Sequence, residues 1–328
     1  MAYSYKRLTP LQYIADITEK IPRAQRRISF VALELEQDDI TRPVIDALCD
    51  AAKRGVQVSM AADSFTYIEP SKKSFLKTGR DQKIKQSRLL QKKLSSSGVT
   101  FSWLGKFSAL LFSGRTHSKW LVIDDDVYSF GGVNMKAKST GYVDYMFHVK
   151  NADLANKLHA EQDRILHAEK TNSRYRSHRF GDDDNMVLID GGILADSIIY
   201  RRANYWAQRA KHVLFVSQYC PTGKLSRNLK KADSDLYFNH WSTAGLINKF
   251  IILLGMKLSQ HTTSYNRRRY LHAKFIVFTL DDGSKVAITG SHNYTSSGVL
   301  FGTREIALET TDKSIIKQLE TFYKQSVR

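Results

Sequence analysis

His117-Ser118-Lys119-Trp120-Leu121-Val122-Ile123-Asp124, followed by Gly131-Gly132-Val133-Asn134, is the stretch that decides how this chain reads. A second stretch repeats its plan: His272-Ala273-Lys274, then Gly290-Ser291-His292-Asn293. A histidine and a lysine two residues apart on an extended segment project to the same face. The residues after each lysine are apolar, as in a buried strand, and a turn follows. That turn is Asp124-Asp125-Asp126 in the first copy and Asp281-Asp282-Gly283-Ser284 in the second. Val127 to Phe130 reads as the returning strand, and Gly131-Gly132 lets backbone approach a ligand closely. Asn134 then falls beside His117 across the hairpin. Two such pairs, one per half, can converge on one phosphate. Phosphodiester exchange needs a nucleophile, a proton donor for the leaving oxygen, and positive charge around the five-coordinate phosphorus. Histidine can fill either of the first two roles. Lysine and asparagine supply the third, so the set can work without a metal or other cofactor.

The resemblance between the halves extends outward from these stretches. Ile17, Ile21, Ala24 and Ile28 have helical spacing and lead into Ile28-Ser29-Phe30-Val31-Ala32-Leu33, which reads as a strand. Ile199, Ala203, Ala207 and Ala210 lead in the same way into Val213-Leu214-Phe215-Val216. The first half continues with a helix over Ile40 to Arg54, capped by Gly55, and a strand over Val56 to Met60. That is a strand–helix–strand unit. Beyond Leu225 the second half diverges and its elements are hard to place. Each half closes on a helix, Ala152 to Glu169 and Lys313 to Gln325. Between them Thr171 to Asn185 holds Arg174, Arg176, Arg179 and Asp182-Asp183-Asp184, the composition of a linker. The expected organisation is a half over 1–172, a linker over 173–186 and a half over 187–328.

Composition narrows the setting. A formal charge of +18 and a pI near 9.7 attract polyanions, either nucleic acid or an anionic membrane. Two cysteines, Cys49 and Cys220, are not a disulfide framework and fit a reducing compartment. Met1 to Arg7 is polar and has no signal-peptide core. The longest apolar stretch, Ala244 to Met256, is interrupted by Asn248 and Lys249 and is short of the roughly 20 residues that span a bilayer. A position on a membrane stays open. No zinc spacing, P-loop or dinucleotide glycine pattern is present. Tyrosine and phenylalanine are plentiful, yet they are not interleaved with basic residues as a stacking platform for bases would be.

The doubled phrase resembles the signature of the phospholipase D superfamily, HxKx4Dx6GSxN written twice. The first copy matches at His117, Lys119, Asp124, Gly131 and Asn134, with Gly132 where serine is usual. The second matches at His272, Lys274, Gly290, Ser291 and Asn293; it has Thr279 at the aspartate position and a hairpin four residues longer, in which Asp281 or Asp282 are the candidates to replace that aspartate. Arg27-Ile28-Ser29-Phe30 and Ala51-Ala52-Lys53-Arg54-Gly55-Val56-Gln57-Val58 are similar to the opening of cardiolipin synthase-type members. The resemblance implies an α/β fold: two similar halves, each a mixed sheet flanked by helices, with the active site at their pseudo-twofold interface. It implies His117 as nucleophile forming a phosphohistidine and His272 as acid and base. Asp144 and Glu305 would orient the imidazoles through the far ring nitrogens.

Charge does not choose among the superfamily's substrates. Two apolar segments lean toward lipid: Phe107-Ser108-Ala109-Leu110-Leu111-Phe112-Ser113-Gly114 before His117, and Leu246 to Met256 upstream of His272. The run Lys72 to Lys93 has Lys72, Lys73, Lys77, Arg80, Lys83, Lys85, Arg88, Lys92 and Lys93 against Asp81. It suits anionic headgroups or a nucleic-acid backbone. Arg267-Arg268-Arg269, just before His272, are expected to contact a substrate phosphate. The expected function is a phosphatidyltransferase of the cardiolipin synthase type, taking phosphatidylglycerol at an anionic membrane from the cytoplasmic side. A phospholipase D hydrolase, a nuclease or nucleic-acid phosphodiesterase on the same residues, and a catalytically silent scaffold are the alternatives.

Overall fold

The computed structural model describes residues 3–68, 77–105 and 114–328. The first sheet contains β1 (Lys6–Leu8), β2 (Arg27–Ala32), β3 (Gln57–Asp63), β4 (Thr100–Leu104), β5 (Trp120–Ile123), β6 (Asp126–Ser129) and β7 (Met146–Lys150), in the order β1-β7-β6-β5-β2-β3-β4. The second contains β8 (His178–Gly181), β9 (Asn185–Gly191), β10 (Ala210–Val216), β11 (Asp233–Tyr237), β12 (Phe275–Leu280), β13 (Lys285–Gly290) and β14 (Arg304–Thr310), in the order β11-β10-β12-β13-β14-β9-β8. The two orders superpose: β1 with β9, β2 with β10, β3 with β11, and β5-β6-β7 with β12-β13-β14. Both sheets are mixed. β2 and β3 are parallel, as are β10 and β11, and the remaining equivalent pairs are antiparallel. A parallel pair needs a crossover. The helix Arg42–Lys53 supplies it in the first half and the helix Gly223–Leu229 in the second.

Local chemistry sets the element ends. Thr9 and Gln12 form a capping box on the helix Pro10–Lys20, whose Tyr13, Ile14 and Ile17 turn inward. The helical spacing read from Ile17 to Ile28 stops early: a short 3-10 turn, Ile21–Arg23, follows, with Pro22 in its first turn. The helix read over Ile40 to Arg54 covers Arg42–Lys53, and Gly55 takes the left-handed position after it at φ 94°. His178–Gly181, inside the stretch whose composition is that of a linker, forms the edge strand β8. One apolar cluster joins Val31, Trp120 and Phe147 of the first sheet to Leu214, Phe275 and Ile306 of the second. The closing helices Ala152–Thr171 and Lys313–Phe322 pack Leu158, Ile165, Ile315 and Leu319 into it. The halves therefore share one core, and their hairpins are held in a fixed relation.

Asp124 has a structural place. Its carboxylate accepts hydrogen bonds from the backbone N–H of Gln25 (2.9 Å), Arg26 (2.9 Å) and Arg27 (3.1 Å), tying the β5–β6 turn to the start of β2. In the second half Thr279 stands there, and the β10–β12 register shifts between Ala210 and His212. Asp282 accepts from the N–H and hydroxyl of Ser284, so its carboxylate serves its own turn. Asp124→Ala is expected to cost about 1–3 kcal/mol, because three N–H groups lose an anionic acceptor. A thermal melt should show the midpoint fall while turnover of the folded enzyme is unchanged; a loss of turnover with an unchanged midpoint would contradict this placement.

Candidate active site

The histidines are brought together by backbone bonds that cross between the halves. The N–H groups of His117 and Ser118 donate to the carbonyl of Arg304 at 2.8 and 3.1 Å, and Arg304 N–H donates to Arg115 at 2.9 Å. On the other side the N–H groups of His272 and Ala273 donate to the carbonyl of Val143 at 3.0 and 2.9 Å, and Val143 N–H donates to Tyr270 at 2.9 Å. Each histidine is thus strapped to the residue just before the opposite half's acidic residue. The consequence is an exchange of carboxylates. His117 Nδ1 lies 2.8 Å from Glu305 Oε2, and His272 Nδ1 lies 2.7 Å from Asp144 Oδ2. With Nδ1 committed, Nε2 is the nitrogen left for chemistry in both rings.

The glycine–serine asymmetry follows from those carboxylates. Ser291 Oγ donates to Glu305 Oε2 at 2.5 Å. At Gly132 a Cβ would lie 2.7 Å from Asp144 Oδ2 and 3.0 Å from His272 Nδ1. The shorter aspartate sits against the backbone, where Gly132 N–H donates to Oδ1 at 3.2 Å, and leaves no room for a side chain. Gly131 and Gly290 are equivalent close-packing points: a Cβ would strike the carbonyl of Tyr145 at the first and of Ile306 at the second.

Both lysines are buried. Lys119 Nζ donates to the carbonyl of His117 at 2.8 Å, and Lys274 Nζ to that of His272 at 2.5 Å. Burial pushes Lys119 down to about 8 and Lys274 to about 7, against the attraction of Glu305 and Asp144. Burial likewise pushes His117 down to about 4, with Glu305 opposing, and His272 down to about 3, with Lys274 adding to the effect. For Glu305 burial favours the neutral acid, but His117, His292 and Lys119 together outweigh it and hold the carboxyl down at about 2; Asp144 is lowered against its burial by His272, Lys274 and the Tyr145 N–H. In the unliganded enzyme at pH 7 both imidazoles are neutral, each donating from Nδ1 to a carboxylate. An anion bound between them would favour the imidazolium form.

Asn134 Nδ2 donates to Glu34 Oε2 at 2.6 Å, and Glu34 also pairs with Lys136. Among the described residues Asn134 Oδ1 and Asn293 Oδ1 are buried without a partner. Asn134, Asn293, Glu34 and Lys136 line a cavity of about 520 Å³ with His117, His272 and Arg115. Phe250, Ile251, Leu254, Leu258 and Phe301 line the same cavity. The lining missed from the sequence includes Glu34, Lys136, Tyr142 and His292. The Tyr142 ring is tilted 34° from that of His272 with centroids 5.5 Å apart. Lys136 was legible as the next residue of Asn134's alternation. Glu34 follows β2 as Gln218 follows β10, and both reach the cavity.

Three sets of residues singled out from the sequence lie away from the cavity or beyond the described residues. Asp124 is absent from the cavity wall. Arg267, Arg268 and Arg269 line a separate cavity of about 490 Å³ with Val143 and Asn266, so they are not placed on a phosphate held between the histidines. Arg267 donates to the carbonyl of Arg328, and Arg269 to those of Gly141 and Tyr142 at 3.2 and 3.0 Å, bracing the strap that carries Asp144. In the basic run, Lys72 and Lys73 are outside the described residues, and the side chains of Lys83, Lys85, Arg88, Lys92 and Lys93 are not in the catalytic cavity wall. Phe107 to Ser113 also fall outside the described residues. Among the described residues no three His, Cys, Asp or Glu side chains gather to hold a metal ion. No described helix is long and apolar enough to cross a membrane.

With this geometry in hand, comparison with known proteins is specific at the family level. The profile of the family described as "Cardiolipin synthase, PLD-like domain" matches residues 17–166 and 211–327. No curated protein sequence matches. Among solved structures, phosphatidylserine synthase of Haemophilus influenzae Rd KW20 is similar with a TM-score of 0.75 at 12% identity, over 99% of this chain and 86% of that one. Polyphosphate kinase of Porphyromonas gingivalis is similar with a TM-score of 0.62 at 12% identity, over 97% of this chain and 46% of that one. At such identity these two likenesses concern the fold. Most of the chain lies within the matched family segments, and the chain belongs to the cardiolipin synthase, PLD-like domain family of the phospholipase D superfamily, a superfamily of enzymes.

Proposed function

We propose that this enzyme is a phosphatidyltransferase of phospholipid synthesis that joins two phosphatidylglycerol molecules. His117 Nε2 attacks phosphorus and forms a phosphohistidine. The bond to the headgroup oxygen breaks, and glycerol leaves with a proton from His272 Nε2. The neutral His272 then takes the proton of a hydroxyl on a second phosphatidylglycerol, whose oxygen attacks phosphorus and frees His117. Lys119, Lys274, Asn134 and Asn293 stabilise the charge on the five-coordinate phosphorus. Asp144 and Glu305 hold the two rings in one orientation and tautomer. Attack by water in the second step would make phosphatidic acid instead.

The observation that carries this reading is the mixed lining of one cavity: His117, His272 and Glu305 share its wall with the five apolar side chains of Phe250, Ile251, Leu254, Leu258 and Phe301. A phosphodiester with acyl chains matches that lining, and a nucleic acid strand does not. The family match and the positive charge support a peripheral position on an anionic membrane, at its cytoplasmic face.

The test uses purified protein and a chelator, with phosphatidylglycerol vesicles in one arm and labelled single- and double-stranded DNA in the other. Cardiolipin and glycerol are the expected products. Phosphatidic acid alone would reassign the enzyme as a hydrolase. DNA cleavage without lipid turnover would overturn the lipid reading. Inactivity indistinguishable from His117→Ala in both arms would leave a scaffold.

A further inference from the structure

We propose that the outer face of the helix Leu246–Ser259, together with Leu300 and Phe301, is the surface by which the protein docks on an anionic lipid bilayer. This rests on the lipid reading of the active site. The helix is apolar on two sides. Ile252 is fully buried and Ser259 nearly so, which accounts for the inner side. Yet Phe250, Leu254 and Leu258, spaced four apart on one face, are 66%, 45% and 73% exposed. Leu300 is 60% and Phe301, which lines the same cavity, 37% exposed at the end of the helix Ser296–Phe301. Solvent leaves such a patch costly unless something covers it.

Charge says what covers it. No acidic residue occurs between Asp235 and Asp281, while Lys249 and Lys257 lie on the helix itself. Lys224, Arg227, Lys230 and Lys231 are exposed on and after the neighbouring helix Gly223–Leu229. Lys230 Nζ reaches Gln260 Oε1 at 3.5 Å, which places it at the apolar helix's C-terminal end. At the other end Lys249 Nζ stands 4.9 Å from the centre of the Trp241 ring. An apolar stripe with cations at both ends and an indole at its edge fits the boundary of an anionic bilayer. A second copy of this chain set face to face on the same patch would oppose like charges. The patch is also continuous with the site. Phe250, Leu254, Leu258 and Phe301 line the cavity that holds His117 and His272, so a lipid can enter from the bilayer without its chains crossing water.

The test is sedimentation of the full chain, bearing His117→Ala so that lipid is not consumed, with vesicles of phosphatidylcholine or of phosphatidylcholine mixed with phosphatidylglycerol. Preferred binding to the mixed vesicles is expected, reduced at least tenfold by Leu258→Glu or Leu300→Glu. Both side chains are largely exposed, and matching melting curves verify that the variants fold. A Leu258→Trp indole is expected to be quenched by lipids brominated along the acyl chain. Undiminished binding of both glutamate variants, or an unquenched indole, overturns the docking surface. A dimer that Leu258→Glu dissociates would assign the patch to a second copy and overturn it equally. Turnover of dispersed short-chain phosphatidylglycerol separates the two proposals. If that lipid reacts but vesicles are not bound, docking fails alone; if no lipid reacts in any form while DNA is cleaved, the lipid reading fails.

Discussion

His117→Ala and His272→Ala are each expected to lower turnover by about three orders of magnitude or more, and to fail at different steps. In the proposed mechanism loss of His117 removes the nucleophile, and no choice of leaving group restores the first step. Without His272 the nucleophile remains but the departing alkoxide has no proton. A phosphatidyl ester of a nitrophenol, whose leaving group needs none, should therefore react with the His272→Ala enzyme and not with His117→Ala. Labelled lipid should accumulate on the His272→Ala protein, because the base that activates the acceptor is missing too. The bond should be acid-labile and base-stable, as a phosphorus–nitrogen bond is. Label trapped only on His117→Ala would exchange the two roles, and label on neither would remove the covalent intermediate.

The second large effect is expected at the carboxylates. Glu305→Gln and Asp144→Asn keep the size of each side chain and remove its charge. Each should reduce turnover by roughly 10²- to 10⁴-fold, since the tautomer and the imidazolium lose their support. The sign with pH follows from the lowered histidines. His117 at about 4 and His272 at about 3 are unprotonated in the free enzyme at pH 7, and a bound anion raises them. Binding of an anion such as tungstate must then take up protons, and its affinity must fall as pH rises above the free values toward the raised ones. Calorimetry in buffers of different ionisation enthalpy counts those protons. Uptake near one is expected in the wild type and less in Asp144→Asn, where the charge that favours the His272 imidazolium is gone. No uptake in the wild type would mean that the acid is already charged before substrate arrives.

Much of this was legible in the chain because the repeated residues carry their chemistry with them. His117-x-Lys119 and His272-x-Lys274 lead into β5 and β12, and the glycines after β6 and β13 sit where backbone packs against backbone. The partly legible parts are those where one residue type serves two purposes. Asp124 belongs to the signature, yet its three N–H partners are a structural need. Arg267 to Arg269 precede a catalytic histidine in sequence, but the chain turns between them and the cavity, and their guanidinium groups meet backbone carbonyls and a separate cavity instead. The helix Leu246–Ser259 read as apolar without saying which side faced the core; only packing shows that Ile252 goes in and Phe250, Leu254 and Leu258 stay out.

Sequence by itself determined the duplicated α/β plan and the two histidine–lysine pairs, because strand periodicity and short-range spacing are written locally; Asp144 and Glu305 came only from the resemblance to the phospholipase D superfamily. Tertiary structure alone decided that Glu305 serves His117 and Asp144 serves His272. That exchange depends on straps from Arg304 to His117 and from Val143 to His272, contacts between residues more than a hundred positions apart. Such pairings form only when the shared core sets one half against the other. The low proton affinity of the imidazoles has the same origin, for burial of a charge is a property of the assembled interface and not of any segment.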